Sequence, residues 1–154
     1  MIGRLFESHL YVSNLERSAH FYENVLGFQP GHIEEQRRAR FYWPGGHGVT
    51  MLGIWEVPAD QVRRQHIAWE VSLADLKQAR AWLEERGAEG VSNFVGESAD
   101  TLKVFAWMPA VSIYFKDPDG HSLELIAMLP DEAKPELGLV DWPEWEAMHG
   151  RRVS

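Results

Sequence analysis

Tyr114-Phe115-Lys116-Asp117-Pro118-Asp119-Gly120-His121-Ser122-Leu123-Glu124-Leu125-Ile126 reads as strand, tight turn, strand. Pro118 presets φ for the second position of a turn, and Gly120 can take the positive φ that other residues avoid. Upstream, Val111, Ile113 and Phe115 alternate with Ala110, Ser112 and Tyr114; downstream, Leu123 and Leu125 alternate with Ser122, Glu124 and Ile126. A period of two gives each strand two distinct faces. Glu124 therefore stands mid-strand, on the face opposite the leucines. A carboxylate in such a run is costly unless it is paired or solvated, and a solvated outer face is the ordinary alternative in an antiparallel sheet.

Working outward, the same unit occurs twice. Ser8-His9-Leu10-Tyr11-Val12-Ser13 alternates as a strand, and Ser13 with Glu16, or Asn14 one residue later, opens a helix. Leu15, Ala19, Tyr22, Val25 and Leu26 form its apolar stripe, and Gly27 ends it. Strands are expected at 28–34, 39–43 and 49–57, with Gly45-Gly46-His47-Gly48 turning before the last. After a polar connector the order restarts with a strand from His66 to Val71 and a helix capped by Ser72 and ended by Gly87. A strand at 90–95 follows, then a long irregular stretch from Asn93 to Pro109, then the two strands quoted first. Each half reads β-α-β-β-β, so the chain is an internal repeat of supersecondary units. The expectation is an α+β domain spanning residues 1–154, with module one at 4–57, module two at 66–128 and a C-terminal arm at 129–154. The modules would form a curved mixed sheet with the helices outside.

At 154 residues the chain is long enough for a sizeable core, and 45% apolar residues exclude disorder as its main state. It lacks cysteine, which removes disulfides, thiolate nucleophiles and zinc fingers. A net charge of −8 argues against nucleic acid and anionic membrane partners. The N-terminus has no long apolar core of a signal peptide, and no apolar run is long enough to span a bilayer, so a cytoplasmic location is expected.

The faces carry the chemistry. His9, Tyr11 and Ser13 share one face of their strand; His66, Ala68 and Glu70 share one of theirs; Ser122, Glu124 and Ile126 share the third. In each strand the bulky apolar side chains point the other way. Two imidazoles and one carboxylate at repeat-related positions make a facial triad for a divalent metal, with open positions for a substrate. A lone buried histidine is more often a satisfied core residue; three such residues in register are harder to place by chance.

These pieces resemble the vicinal oxygen chelate superfamily, which includes glyoxalase I, extradiol dioxygenases, fosfomycin-resistance enzymes and bleomycin-resistance proteins. The matching residues are His9-Leu10-Tyr11-Val12, Leu15 to Tyr22, Leu26-Gly27-Phe28, His66-Ile67-Ala68 and the stretch from Tyr114 to Glu124. The resemblance implies paired βαβββ modules around a metal cup, with His9, His66 and Glu124 as ligands of one divalent ion (Fe, Mn, Zn or Ni), and a homodimer. Many glyoxalases add a fourth ligand on the fourth strand, but the middle of Val49 to Trp55 offers none. Tyr114, Ser112, Glu70 and Tyr11 are the candidate catalytic or substrate-binding residues, and Phe105 and Trp107 a candidate lid. His121, on the leucine face, reads as structural, and Arg37, Arg38 and Arg40 as a solvated hairpin, from which Arg40 could reach an anionic substrate. The implied function is a metal-dependent enzyme on a small oxygenated substrate, with dioxygenase-type chemistry placed slightly first. The alternatives are a fosfomycin-type thiol transferase, a glyoxalase-type lyase, and a metal-free sequestering protein of the bleomycin-resistance kind.

Overall fold

Alternation puts Leu10 and Val12 of the first strand, β1 (Glu7–Val12), wholly out of solvent and leaves Glu7, His9 and Tyr11 on the exposed face. The structure is a computed structural model that describes residues 3–150. The helix α1 (Leu15–His20) is capped by Asn14, whose Oδ1 accepts the Arg17 N–H at 2.8 Å. Ser13 is not the cap. It gives its backbone N–H (3.1 Å) and its hydroxyl to the carboxylate of Asp119. The expected single helix to Leu26 changes pitch at Phe21 and finishes as a π-turn over Phe21–Val25. Three strands follow, β2 (Gln29–Glu34), β3 (Ala39–Trp43) and β4 (Met51–Glu56), in a sheet ordered β1-β4-β3-β2 with β1 parallel to β4. The helix lies against β3 and β4, covering Leu52 and Ile54.

The chain divides into two compact units, and the first consists of residues up to 65 together with Asp117–His121. Within it, the Tyr22 hydroxyl donates to Asp117 at 3.0 Å. His121 is fully buried; its Nδ1 accepts the Gln65 N–H at 3.0 Å, so its Nε2 carries the hydrogen given to the Tyr11 carbonyl at 2.9 Å. With both nitrogens engaged, His121 is a structural residue.

The second unit opens with β5 (His66–Glu70) and α2 (Leu73–Glu85), whose cap Ser72 accepts the Asp75 N–H at 3.1 Å. It continues with β6 (Glu89–Ser92), β7 (Lys103–Phe105), β8 (Ala110–Lys116), β9 (Ser122–Met128), β10 (Leu139–Asp141) and α3 (Trp142–Met148). Its sheet runs β10-β7-β8-β9-β5, with β6 on β8 and β5 parallel to β9. Two expectations are corrected here. The stretch 93–109 is not wholly irregular, since β7 pairs with β8 inside it, and the strand before it stops at Ser92. The C-terminal arm supplies β10 and α3, anchored by a fully buried Trp145 whose Nε1 donates to Asp131 at 2.7 Å. Residues 151–154 of that arm, and Met1-Ile2, lie outside the described residues. Among the described residues no helix is long and apolar enough to cross a membrane.

Candidate functional site

Register determines what meets on the polar face of the second sheet. Ala68 on β5, Glu124 on β9 and Tyr114 on β8 form one row; His66 and Ser122 form the next. Glu124 is 4% exposed, and its two oxygens are held differently. Oε1 accepts the buried Ser112 hydroxyl, and Oε2 lies 2.9 Å from His66 Nε2. His66 Nδ1 is 3.1 Å from the Ser122 carbonyl and 3.3 Å from the Ser122 hydroxyl, so it either donates to the carbonyl or accepts the hydroxyl hydrogen. In the second tautomer Nε2–H donates to the carboxylate; in the first, Nε2 turns a lone pair toward it. Two acceptors at that separation then need a cation between them, either a proton or a metal. Metal–ligand distances of about 2.0–2.2 Å place two neighbouring ligand atoms about 3 Å apart, which the pair matches. An Nδ1–H to carbonyl bond is the support that metal-ligating histidines ordinarily have. The donor set of the second unit thus fits half of a metal site.

Tyr114 stacks on the His66 ring at 5.9 Å and 24°. Burial, and then the Glu124 charge beside it, hold its phenol well above the ordinary tyrosine range, so it keeps its proton at neutral pH. Glu124 and Tyr114 line a pocket of about 530 Å³, whose other walls include Phe94, Phe105, Trp107 and Leu139. Phe105 is pinned in β7 and buried, so it is wall rather than lid; Trp107 is 57% exposed between β7 and β8. Ser112 supports the carboxylate from behind. Glu70 is exposed at the end of β5, opposite Ile126, and does not line the pocket.

In the first unit, His9 stands on the exposed face of β1 opposite Gly53 of β4. A Cβ on Gly53 would lie 2.8 Å from the ring of His9, so the glycine makes room for the imidazole. His9 packs against Phe41 and Trp55 at 5.9 and 5.6 Å, and its Nε2 is 3.0 Å from Glu7 Oε1. Tyr11, 49% exposed, shares that face. The parallel pairs are equivalent: His66 opposes Ser122 and the carboxylate of Glu124 comes two residues later, while His9 opposes Gly53 and two residues later stands Trp55. An indole occupies the place where a second carboxylate would stand. Glu56 is used elsewhere, capping α1 through the Leu15 N–H at 2.7 Å and binding Arg38. Arg40 is on the helix side of β3, paired with Glu23 at 3.1 Å, which corrects the expectation of a solvated hairpin residue able to reach a substrate. Among the described residues no three His, Cys, Asp or Glu side chains are gathered to hold a metal. His66 and Glu124 form one pair in the second unit, and His9 and Glu7 another in the first. Sequence reading missed Glu7 and Ser122, although each sits two residues before a named ligand on the same face.

Residues 2–125 match the sequence model of the Glyoxalase/Bleomycin resistance protein/Dioxygenase superfamily. The chain belongs to this superfamily. Similar superfamily proteins include the metallothiol transferase FosB of Staphylococcus haemolyticus, 30% identical over 135 residues, covering 82% of this chain and 89% of that protein. The FosB of Staphylococcus saprophyticus is 25% identical over 150 residues, with 92% of each chain covered. Among solved structures, an integron cassette protein from the Halifax Harbour sewage outfall metagenome is 34% identical at a TM-score of 0.68, covering 82% of this chain and all of that one. The fosfomycin resistance protein FosX of Listeria monocytogenes shares the fold at 21% identity and a TM-score of 0.63, covering 84% and 97%.

Proposed function

We propose that the protein is a divalent-metal-dependent thiol transferase of the vicinal oxygen chelate type, adding a thiol to a small oxygenated electrophile such as an epoxide. The observation that carries this reading is His66 Nε2 set 2.9 Å from Oε2 of the buried Glu124, with a backbone carbonyl within hydrogen-bond reach of His66 Nδ1. His66 and Glu124 would hold the ion, with His9 as the third ligand and the chain acting as a homodimer. The FosB relatives support the transferase reading over dioxygenase chemistry, which the sequence alone had placed first. Trp55, where the carboxylate of a fourth ligand would stand, weighs against a glyoxalase-type lyase.

The bound cation would supply Lewis-acid polarisation of a substrate oxygen. The chain's own groups do the rest. As the thiol's sulfur attacks an epoxide carbon, a C–S bond forms, the C–O bond breaks, and the S–H proton leaves to solvent, from which the Tyr114 phenol is restored. The released oxygen needs a proton, and the Tyr114 phenol, protonated at neutral pH, is the donor at hand. Ser112 keeps the Glu124 carboxylate in one rotamer throughout.

The test is a panel on Mn(II)-loaded protein: styrene oxide and fosfomycin with thiols, catechols with oxygen, and methylglyoxal with glutathione. Thiol consumption in the epoxide channel, cut by Tyr114→Phe in kcat with little change in KM, is expected. Turnover confined to catechols or to methylglyoxal would overturn the transferase reading.

A further inference from the structure

The FosX relative is described as a fosfomycin resistance protein, and fosfomycin is a small phosphonate dianion. The pocket beside Glu124 is built for something else. Its lining contains no lysine or arginine; its single charge is the Glu124 carboxylate. Its walls hold a run of rings: Phe94 meets Phe105 at 4.9 Å edge-on and Tyr114 at 6.0 Å, and Tyr114 in turn stacks at 5.9 Å on His66 outside the lining. Phe94 and Trp107 are more than half exposed, at 54% and 57%, and Leu139 is 37% exposed. Large apolar side chains left in water around a concavity mark a ligand surface, and about 530 Å³ falls in the range of small-molecule sites. An anion placed there would find no lysine or arginine to pair with, only the ion that His66 and Glu124 would hold, whereas a flat neutral ring finds edge and face partners on three sides. The first unit agrees by itself: the β1, β3 and β4 residues that share the His9 face, Glu7, Tyr11, Phe41, Trp43 and Trp55 among them, include no lysine or arginine.

Resting on the metal-site reading above, we infer that this site takes an uncharged substrate with a flat aromatic body, its oxygens directed at Glu124 and His66 and its ring held among Phe94, Phe105 and Trp107, and that phosphonates are not its substrates. The test uses two fluorescent probes, 2-methoxynaphthalene, which cannot chelate, and 2,3-dihydroxynaphthalene, which can. Binding is followed in metal-free and in Mn(II)-loaded protein. Both probes should bind metal-free protein, Phe94→Ala and Trp107→Ala should each weaken 2-methoxynaphthalene about tenfold, and fosfomycin should not displace either probe. Mn(II) should tighten only the dihydroxy probe. Both variants are at exposed positions, and a circular dichroism melt equal to the parent's shows that they fold. Displacement by fosfomycin, or probe affinity unchanged in both variants, overturns the substrate class. Ring binding that persists with no Mn(II) effect on the dihydroxy probe leaves the aromatic pocket standing and overturns the metal reading instead. Saturable Mn(II) binding without any ring binding does the reverse.

Discussion

Glu124 is a buried carboxylate whose two oxygens have different duties, and substitutions should separate them. Glu124→Gln removes the charge facing His66 and should lower Mn(II) affinity more than about 100-fold, whereas Ser112→Ala leaves the charge but frees the carboxylate to turn and should cost about tenfold. Isothermal titration with Mn(II) ranks them; equal losses would mean that the hydroxyl does more than orient. Gly53→Ala tests the other histidine without touching it. The new Cβ meets His9 Cδ2 at 2.8 Å and Phe41 Cε1 at 3.1 Å, so the ring must swing, at a stability cost of about 1–3 kcal/mol and with weaker Mn(II) binding. Asp119 gives the pH test. Its burial alone would raise its pKa, but the Ser13 hydroxyl and N–H and the Arg17 guanidinium outweigh burial and hold it below the ordinary aspartate range. The unfolded chain therefore takes up this proton first as pH falls. The stabilisation is full above the ordinary carboxylate pKa of about 4 and is lost as pH drops through the folded value. Asp119→Asn should lower the melting temperature at about pH 7, by roughly 1–3 kcal/mol of stability, and the gap to the parent should close toward about pH 3. A gap that stays constant with pH would mean that the charge is not what holds this turn.

At the scale of elements, alternation made β1, β5, β8 and β9 readable, because each carries its bulky apolar side chains on one face and a shift of one residue would put Glu124 among leucines. The caps were readable to within a residue: Ser72 is the cap of α2, but at α1 the choice between Ser13 and Asn14 was decided by Asp119, more than a hundred positions away, which local pattern cannot show. The same reason hid β7 and β10. Each has three residues: Lys103–Phe105 is held as a strand between β8 and the tail segment Leu139–Asp141, and β10 exists only by pairing back onto it. The face of each ligand was legible from period two; the Trp55 equivalence was not, since it needs the parallel registers of β1 with β4 and β5 with β9. The tail is consequently structural and not an appendage. Trp145 is fully buried with its indole N–H on Asp131, so Trp145→Ala should cost about 3–5 kcal/mol, read as a shift of the urea midpoint at unchanged slope. A shift below about 1 kcal/mol would show that α3 is merely laid on the surface.

At the scale of the whole molecule, the charge and the apolar surface pull in opposite directions. Each chain carries a net charge of −8, so two copies repel at long range. Yet Leu5, Phe6, Tyr11, Ile33 and Val49 of the first unit stand 79%, 44%, 49%, 47% and 42% exposed, more apolar surface than a chain of this charge needs to leave in water. If the homodimer proposed above is held by such side chains, its salt response is fixed in sign. At about 0.01 M ionic strength the screening length is about 30 Å and repulsion between the copies is felt across an interface; at about 0.15 M it is about 8 Å and that repulsion is largely gone, while apolar contact is not weakened. Light scattering coupled to size exclusion should therefore give a mass near twice 17.7 kDa, with dimerisation tightening as sodium chloride rises over that range. Substituting Phe6→Ser should weaken the dimer at every salt concentration without altering that trend. Dissociation on adding salt would identify ionic contacts as the glue and rule out the apolar interface, and a mass of one chain at all concentrations would remove the homodimer altogether.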